Sequence, residues 1–442
     1  MKPLALLVCI AAMPLSAQSP GRTCNLVYDD MPDTSHSSSK MNEVTQKWTS
    51  WCGGGFKARC RGTKMIATSD SAEYTEEPQV LTLIGHARYR EDSTAIDART
   101  IRYTVLDDQV VAEGDVRATT RTGNALTADQ ARYFRPQGKL RPYASAFASG
   151  HSHLVLRDSV KVADSLATKI DSDRLHMDRD SLFYAGGNVV ITRADIIAKA
   201  DSAETNTGKH TARLVGGAPR IDGRGDNKFS IEGTVLDVFG QVQKIERLFA
   251  KGKALAVSDS LTLKADTLDI RTTGTVIDRV FAWGPGRARA TSPDRDVVGD
   301  RIEIVMPGQK MHDLIATGNA RADTKPADST FHSTERDWIL GDTLVATFDQ
   351  SVAVKPNAQP PLRVLTARGN AKSFYQVAPK NKTDTLPTLN YVAGKRIAIQ
   401  FVQGVVQNVR VQEQVSGLNL VPIKQDTSAT SKGRVPPKGM GG

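Results

Sequence analysis

Apolar residues fall at alternate positions through most of the chain between residues 46 and 420. No stretch in that range keeps the 3.6-residue spacing of an amphipathic helix. Alternation with a period of two is typical of β-strands that bury one face. The pattern therefore predicts an all-β protein.

A short motif recurs in which an apolar residue, a small residue and Asp are followed by two more alternating apolar residues. The clearest copy runs from Leu263 to Ile270. Within it, Leu263 and Ala265 share one phase, whereas Leu268 and Ile270 share the other. A one-residue slip sends the second half to the opposite face unless the backbone bends. We therefore predict a bulge or corner at the small-Asp pair. The ten copies have their Asp position at Asp70, Arg99, Asp129, Asp173, Asp201, Thr234, Asp266, Asp300, Asp342 and Lys395.

A second motif begins with Gly and continues with alternating small and apolar residues. It alternates strictly with the first motif, and most successive gaps are 14 to 18 residues. Glycine at its head suits a turn or a bulge. The ten copies begin at Gly54, Gly85, Gly114, Gly150, Gly187, Gly217, Gly252, Gly284, Gly318 and Gly369.

Each repeat is therefore two bent strands, and stacked repeats share one apolar interior. We predict an elongated open antiparallel β-fold of about ten two-strand repeats over residues 46–423, formed as one body or as two consecutive units near 46–160 and 165–423. Residues 18–45 are predicted to be a linker, and the Pro-, Gly- and Lys-rich residues 424–442 a disordered tail.

The N-terminus predicts secretion. Lys2 precedes the short apolar run 4–13, and small residues end at Ala17. This is the pattern of a cleaved signal peptide over residues 1–17, and it places the mature chain in the periplasm, where association with the outer membrane is an open alternative. An oxidising compartment permits a Cys52–Cys60 disulfide and leaves the state of Cys24 undetermined.

The charge balance indicates an anionic partner. The chain has 58 Lys and Arg against 48 Asp and Glu, a formal net charge of +10. Nucleic acid is disfavoured because only 6% of residues are aromatic and the chain carries a secretory signal.

The alternating small-Asp and Gly-Asn-Val strands in a signal-bearing chain resemble the LptA/OstA family of periplasmic lipopolysaccharide-transport proteins. The copies at Asp266 and at Gly187-Asn188-Val189 carry this resemblance. It implies an open β-jelly roll, or β-taco, whose apolar groove shelters acyl chains. It also implies lipopolysaccharide or a related glycolipid as ligand, and other bridge components and an outer-membrane translocon as partners. Unpaired terminal strands further predict edge-to-edge self-association.

The inward positions are the predicted groove lining. An equally open interpretation is that the same side chains pack on one another as a closed core. The residues are Ile101, Tyr103, Val116, Val189, Ile191, Leu263, Leu268, Ile270, Ile302 and Ile304.

Cations recur at the third position after the motif glycine, which faces outward. We predict a basic ladder that contacts phosphates or acidic sugars. The alternative is that neighbouring carboxylates pair these cations on a solvated face. The residues are Lys57, Arg88, Arg117, Arg220, Arg287, Arg321 and Lys372.

No catalytic chemistry is predicted. The chain has no G-x-S-x-G, P-loop or H-E-x-x-H motif. His151 and His153 share one strand face, but no carboxylate or thiol has a matching spacing, so we predict no metal and no cofactor. Two alternatives to lipid binding are a secreted β-helix enzyme acting on polysaccharide and a structural surface protein.

Overall fold

The structure is a computed structural model. The predicted signal peptide 1–17 and the predicted tail 424–442 lie outside the residues that it describes. These are residues 25–28, 33–61, 64–92, 94–137, 139–157, 167–179, 181–224, 228–241, 244–258, 260–273, 276–324, 335–352, 359–379, 386–402 and 405–422.

The described residues form β-strands and a single 3-10 turn at Pro307–Gln309, which confirms the all-β prediction. None of them belongs to a helix long and apolar enough to cross a membrane. In chain order the strands are β1 Asn25–Tyr28, β2 His36–Met41, β3 Trp48–Gly53, β4 Phe56–Arg61, β5 Ile66–Ser69, β6 Ser71–Thr75, β7 Val80–Arg90, β8 Thr94–Thr104, β9 Gln109–Thr120, β10 Ala125–Phe134, β11 Ser145–Leu156, β12 Thr168–Asp178, β13 Leu182–Thr192, β14 Ile196–Asn206, β15 Thr211–Val215, β16 Arg220–Gly223, β17 Phe229–Glu232, β18 Val235–Gln241, β19 Lys244–Ser258, β20 Thr262–Thr273, β21 Val276–Thr291, β22 Arg295–Val305, β23 Asp313–Thr324, β24 Asp337–Phe348, β25 Leu362–Val377, β26 Thr388–Val402, β27 Val405–Gln412 and β28 Ser416–Leu420.

Two compact units divide the chain. The first comprises Met1–Asp259 with Lys264–Val280, and the second comprises Ser260–Leu263 with Phe281–Gly442. Strands β11 and β12, on either side of the alternative boundary near residues 160–165, pair along both of their halves. Strands β1 and β2 also lie within the stretch predicted to be a linker.

Within the first unit, β7 to β14 pair antiparallel in sequence order. Within the second unit, β22 to β27 do the same. Antiparallel neighbours do not fit a right-handed β-helix, whose coils are parallel. Some bent strands are interrupted at the bend: β5 and β6 pair with opposite halves of β7, and β27 and β28 with opposite halves of β26.

The predicted change of phase is present. In β8, Ile96 and Ala98 are buried before the small-Asp position, and Ile101 and Tyr103 are buried after it. The register shifts at the same place, so that Arg99 of β8 lies opposite two residues of β7. The bend therefore turns the second half of the strand back toward the same interior.

The two motifs meet at each corner. In nearly every copy of the Gly motif, the glycine and the next residue both have positive φ: Gly187 has φ 78° and Asn188 has φ 50°. The Asp of the preceding strand lies against that glycine, and a Cβ built on Gly187 would lie 2.3 Å from Asp173 Oδ2. Asn188 Nδ2 then donates to the same oxygen at 3.0 Å. The Asp is thus a corner residue that receives a hydrogen bond from the residue after the glycine.

Other corners form the same contact with different side chains. His86 Nδ1 lies 2.8 Å from Asp70 Oδ2. The copy with Arg99 in the Asp position reverses the charges, because Asp115 follows its glycine and accepts from Arg99 Nη2 at 3.0 Å. At these two corners a complementary polar pair forms whichever of the two positions carries the carboxylate.

The predicted Cys52–Cys60 disulfide is wrong. Cys60 takes part in a disulfide bond, whereas Cys52 is a thiol. Cys52 lies on β3, which pairs with β2 and β6, and Cys60 lies on β4, which pairs with β1 and β5. The corner at Gly54 sends β4 away from the partners of β3, so the short spacing in sequence does not bring the two sulfurs together.

We expect Gly187→Ala to lower the free energy of unfolding by about 1–3 kcal/mol, because an L-residue is strained at this φ and its Cβ meets Asp173. Urea unfolding followed by circular dichroism measures the change. Gly186→Ala is the matched control, since a Cβ there meets nothing within 4 Å. Equal losses in both variants would contradict the corner account.

The reversed corner allows a double-variant test. Arg99→Asp alone places a carboxylate beside Asp115, and we expect a small loss of stability, about 0.5 kcal/mol, because both side chains are exposed. Adding Asp115→Asn recreates the Asp–Asn pair of residues 173 and 188 and is expected to restore the midpoint of urea unfolding. Absence of any restoration would show that the pair does not act as a unit.

Candidate functional site

The corners divide the first unit into two faces that pack against each other. Face A comprises residues 87–90, 94–98, 116–120, 125–128, 152–156, 168–171, 189–192 and 196–200. Face B comprises residues 80–84, 100–104, 109–113, 130–134, 145–149, 174–178, 182–186 and 202–206. A ring contact between Tyr89 of face A and Tyr133 of face B, with centroids 6.5 Å apart, shows that the interior lies between them.

The interior is filled along β4 to β10. Its largest side chains include Tyr89, Leu83, Ile101 and Tyr103, each exposed by about one percent or less. They form one continuous apolar cluster that contains residues of both faces. Apolar side chains of both faces therefore contact one another across this part of the interior.

An apolar pocket lies between the two faces next to this cluster, and Ile96, Ala131 and Tyr133 belong to both. Its cavity volume is about 60 Å³, and it opens to solvent. Five alanines contribute to its wall. The lining residues are Thr94, Ile96, Ala118, Thr119, Thr120, Asn124, Ala125, Leu126 and Leu154 from the face A side and Ala131, Arg132, Tyr133, Ala146, Phe147, Ala148, Leu175, Met177 and Phe183 from the face B side.

Polar groups lie at the edge of the pocket. Thr94, Thr119, Thr120 and Asn124 stand at the ends of face A strands, and the exposed Arg132 belongs to face B. The Asn124 amide oxygen is already engaged, because it accepts from the Arg157 backbone N–H at 2.9 Å. An apolar wall with a polar, cationic edge suits an amphiphile, whose tail leaves water while its head group stays solvated.

A buried ion pair joins the free ends of the two faces beside the pocket. Glu91 follows the face A end of β7, and Arg135 follows the face B end of β10. Arg135 Nη2 lies 2.7 Å from Glu91 Oε1, and Arg135 Nη1 lies 3.0 Å from Asp108 Oδ1. We call Glu91, Asp108 and Arg135 the rim clasp, since it closes the interior at the filled side of the pocket.

Two tyrosines complete the rim clasp. The Tyr103 hydroxyl donates to Asp108 Oδ1 at 2.6 Å, and the Tyr89 hydroxyl donates to Glu91 Oε2 at 3.0 Å. Burial raises the pKa of both tyrosines far above the ordinary value. Burial alone would lower the pKa of Arg135, but the hydrogen bond and charge of Glu91 and the neighbouring tyrosines outweigh it and raise that pKa. Arg135 and the two tyrosines therefore stay protonated throughout the physiological pH range.

All ten residues predicted to line a groove face the interior, and each is 6% exposed or less. Ile101, Tyr103 and Val116 belong to the filled cluster of the first unit. None of the ten lies in the wall of the pocket. Contact of these residues with a lipid stays a prediction.

Carboxylates accompany much of the predicted basic ladder, as the alternative interpretation requires. Arg88 lies 3.8 Å from Asp97, and Arg220 lies 2.8 Å from Asp222. In the second unit, Arg287 lies 3.6 Å from Asp300, and Arg321 lies 2.6 Å from Asp323. Lys57, Arg117 and Lys372 are exposed. Phosphate or sugar contact by the ladder stays a prediction.

The two histidines considered for metal binding have different partners. His151 Nδ1 lies 3.1 Å from Asp129 Oδ2 at a corner, and His153 Nδ1 lies 2.6 Å from Asp171 Oδ1 on the next strand. Across the part of the chain that the structure describes, no three His, Cys, Asp or Glu side chains converge as a metal site would require.

Sequence reasoning missed both the pocket and the rim clasp. One signal was available: residues 130–157 contain five Arg and Lys and no Asp or Glu. This acid-free stretch supplies Arg135 of the clasp and seven residues of the pocket wall, among them Arg132. An inward side chain can line the pocket or pack against another side chain. Which of the two occurs depends on side chains from strands that are distant in sequence.

No protein-family model and no curated protein sequence matches this chain. Among solved structures it is similar to the crystal structure of LptH, the LptA-homologous periplasmic component of the conserved lipopolysaccharide transport device from Pseudomonas aeruginosa. The two share 13% sequence identity with a TM-score of 0.25, over 28% of this chain and 94% of that chain.

We expect Arg135→Met to lower the free energy of unfolding by about 3–5 kcal/mol, because two buried carboxylates lose their cation. Hydrogen exchange should accelerate most in the strand ends around Glu91 and Asp108. Lys64→Met is the control: its pair with Asp92 spans 3.1 Å but is solvated, so its loss should cost less than about 1 kcal/mol. Similar losses in the two variants would show that the clasp is no stronger than a surface pair.

Proposed function

We propose that the protein binds a lipid by taking an acyl chain into the apolar pocket between face A and face B. The observation that carries the proposal is the pocket itself: an apolar wall rich in alanine, drawn from two opposed faces and edged by Thr94, Asn124 and Arg132. Burial of an acyl chain is worth about 0.8 kcal/mol per methylene, so a few buried methylenes suffice for measurable affinity.

The lipid class that we propose is lipopolysaccharide or a related glycolipid. The exposed Arg132 on the outer side of face B and the acid-free residues 130–157 complement the phosphates of such a head group. The net charge of +10 favours anionic over zwitterionic lipids. In this proposal the chain shields and passes on its lipid in the periplasm and performs no catalysis.

The proposal also includes partner proteins. Bridge components and an outer-membrane translocon would receive the lipid, and exposed strands offer a way to join them or a second copy. All residues of β2 and of β28 are exposed. Addition of a strand to an exposed edge is a common mode of association.

The filled interior along β4 to β10 favours a second candidate, a structural β-repeat protein without a ligand. The two candidates differ in the pocket alone. Native mass spectrometry of protein purified from its own envelope separates them: a co-purifying glycolipid supports lipid binding, whereas a bare protein that also binds no added lipid A supports the structural role.

We expect Ala118→Trp to weaken lipid A binding at least about tenfold, because the indole occupies the space between the faces. Displacement of a fluorescent fatty-acid probe measures the affinity. Ala95→Trp is the matched control, since Ala95 pairs with Thr119 beside the pocket but does not contribute to its wall. Unchanged affinity in Ala118→Trp, or equal loss in both variants, would refute the pocket as the lipid site.

A further inference from the structure

Several large apolar side chains are exposed together at the end of face B. Leu140 is 91% exposed, and Leu106 and Tyr143 are each 51% exposed. Lys139 and Arg141 flank Leu140 in sequence. We call Leu106, Lys139, Leu140, Arg141 and Tyr143 the rim tip. It lies next to the rim clasp, because Arg135 and Asp108 stand in the same two connections.

Hydrogen bonds hold the rim tip in place. Arg141 Nη1 donates to the Arg135 carbonyl at 2.9 Å and to the Asp107 carbonyl at 3.2 Å. Gln137 Nε2 donates to the Leu106 carbonyl at 3.4 Å. The Leu140 backbone N–H donates to the Gln137 carbonyl at 3.2 Å. The exposure of Leu140 is therefore a property of an ordered turn that is anchored on a buried ion pair.

Cations and aromatic rings are combined around the rim tip. The Arg141 guanidinium lies 5.0 Å from the Phe134 ring, and the Arg179 guanidinium lies 4.3 Å from the Tyr143 ring. Asp107, on the connection between β8 and β9, is a neighbouring carboxylate. The three cations Lys139, Arg141 and Arg179 outnumber it. Side chains with an apolar body and a cationic or phenolic end are typical of membrane–water interfaces.

The shape of the rim tip favours a lipid bilayer over a protein as its partner. A protruding leucine requires a fitted pocket on a protein, whereas it enters the acyl region of a bilayer without one. Burial of Leu140 and Tyr143 contributes apolar free energy, and the flanking cations remain at the level of the lipid phosphates. The 28 residues 130–157 contain no Asp or Glu, so this segment adds no charge repulsion with an anionic surface.

We propose that the rim tip docks the protein on an anionic phospholipid bilayer, with Leu140 and Tyr143 in the interface and Lys139, Arg141 and Arg179 against lipid phosphates. This interaction goes beyond the proposed acyl-chain site, because it uses the outer end of face B and not the pocket wall. Docking would bring the polar edge of the pocket close to a membrane.

Flotation with vesicles tests the docking. The full chain is expected to float with equimolar phosphatidylglycerol–phosphatidylcholine vesicles, to float poorly with pure phosphatidylcholine vesicles, and to lose binding as salt rises. Leu140→Glu is expected to weaken binding about tenfold without a change in thermal unfolding. Val44→Glu is the matched control, because Val44 is 92% exposed on the turn between β2 and β3.

Insertion is measured separately with Leu140→Trp and Val44→Trp. Brominated acyl chains should quench the added fluorescence of Leu140→Trp and leave that of Val44→Trp unchanged. Absence of wild-type flotation, equal losses in the two Glu variants, or equal quenching would overturn the proposal. Ala118→Trp distinguishes it from the proposed function: that variant should lose lipid A binding and keep vesicle binding.

Discussion

The corner contact is the constraint on which the rest of this fold depends. A strand whose apolar residues change phase presents its two halves to opposite sides unless the backbone turns between them. Here the turn is made by two residues at positive φ, such as Gly187 and Asn188, and it is filled by a carboxylate from the preceding strand. Only glycine leaves room for that carboxylate, and Asn, His and Asp are the L-residues that tolerate the next position best. The two sequence motifs are thus the two sides of one contact.

Once the corners are fixed, the side chains between the faces decide what the interior holds. Tyr89, Leu83, Ile101 and Tyr103 are buried in a continuous apolar cluster, and an apolar pocket that Ala118, Ala131 and Ala146 help to line lies against it. One backbone architecture therefore supports both a closed core and an open cavity within the same unit. The rim clasp stands at the transition between them, where a buried Arg135 draws the free ends of both faces together.

The proposed lipid site and the proposed membrane-docking surface share one segment of chain. Residues 130–157 provide cations, apolar bulk and alanines without a single carboxylate. The same segment supplies part of the pocket wall, the arginine of the clasp and most of the rim tip. A protein that takes up an amphiphile gains from having its apolar cavity next to the surface that meets a bilayer, since the acyl chain then spends little of its path in water.

The sequence by itself determined the strands, the corners and the side toward which each residue faces, because all three follow from local periodicity and from the φ preferences of Gly, Asn and Asp. The alternation around Leu263 to Ile270 is local information, and so is the requirement for glycine at position 187. Only the tertiary structure decided that Ile101 and Val116 belong to a buried core, that Arg88 and Arg287 have carboxylate neighbours, and that Cys52 is not the partner of Cys60. Those outcomes depend on distances between residues far apart in the chain and on how side-chain volumes add across two faces, and no short pattern in one strand contains that information.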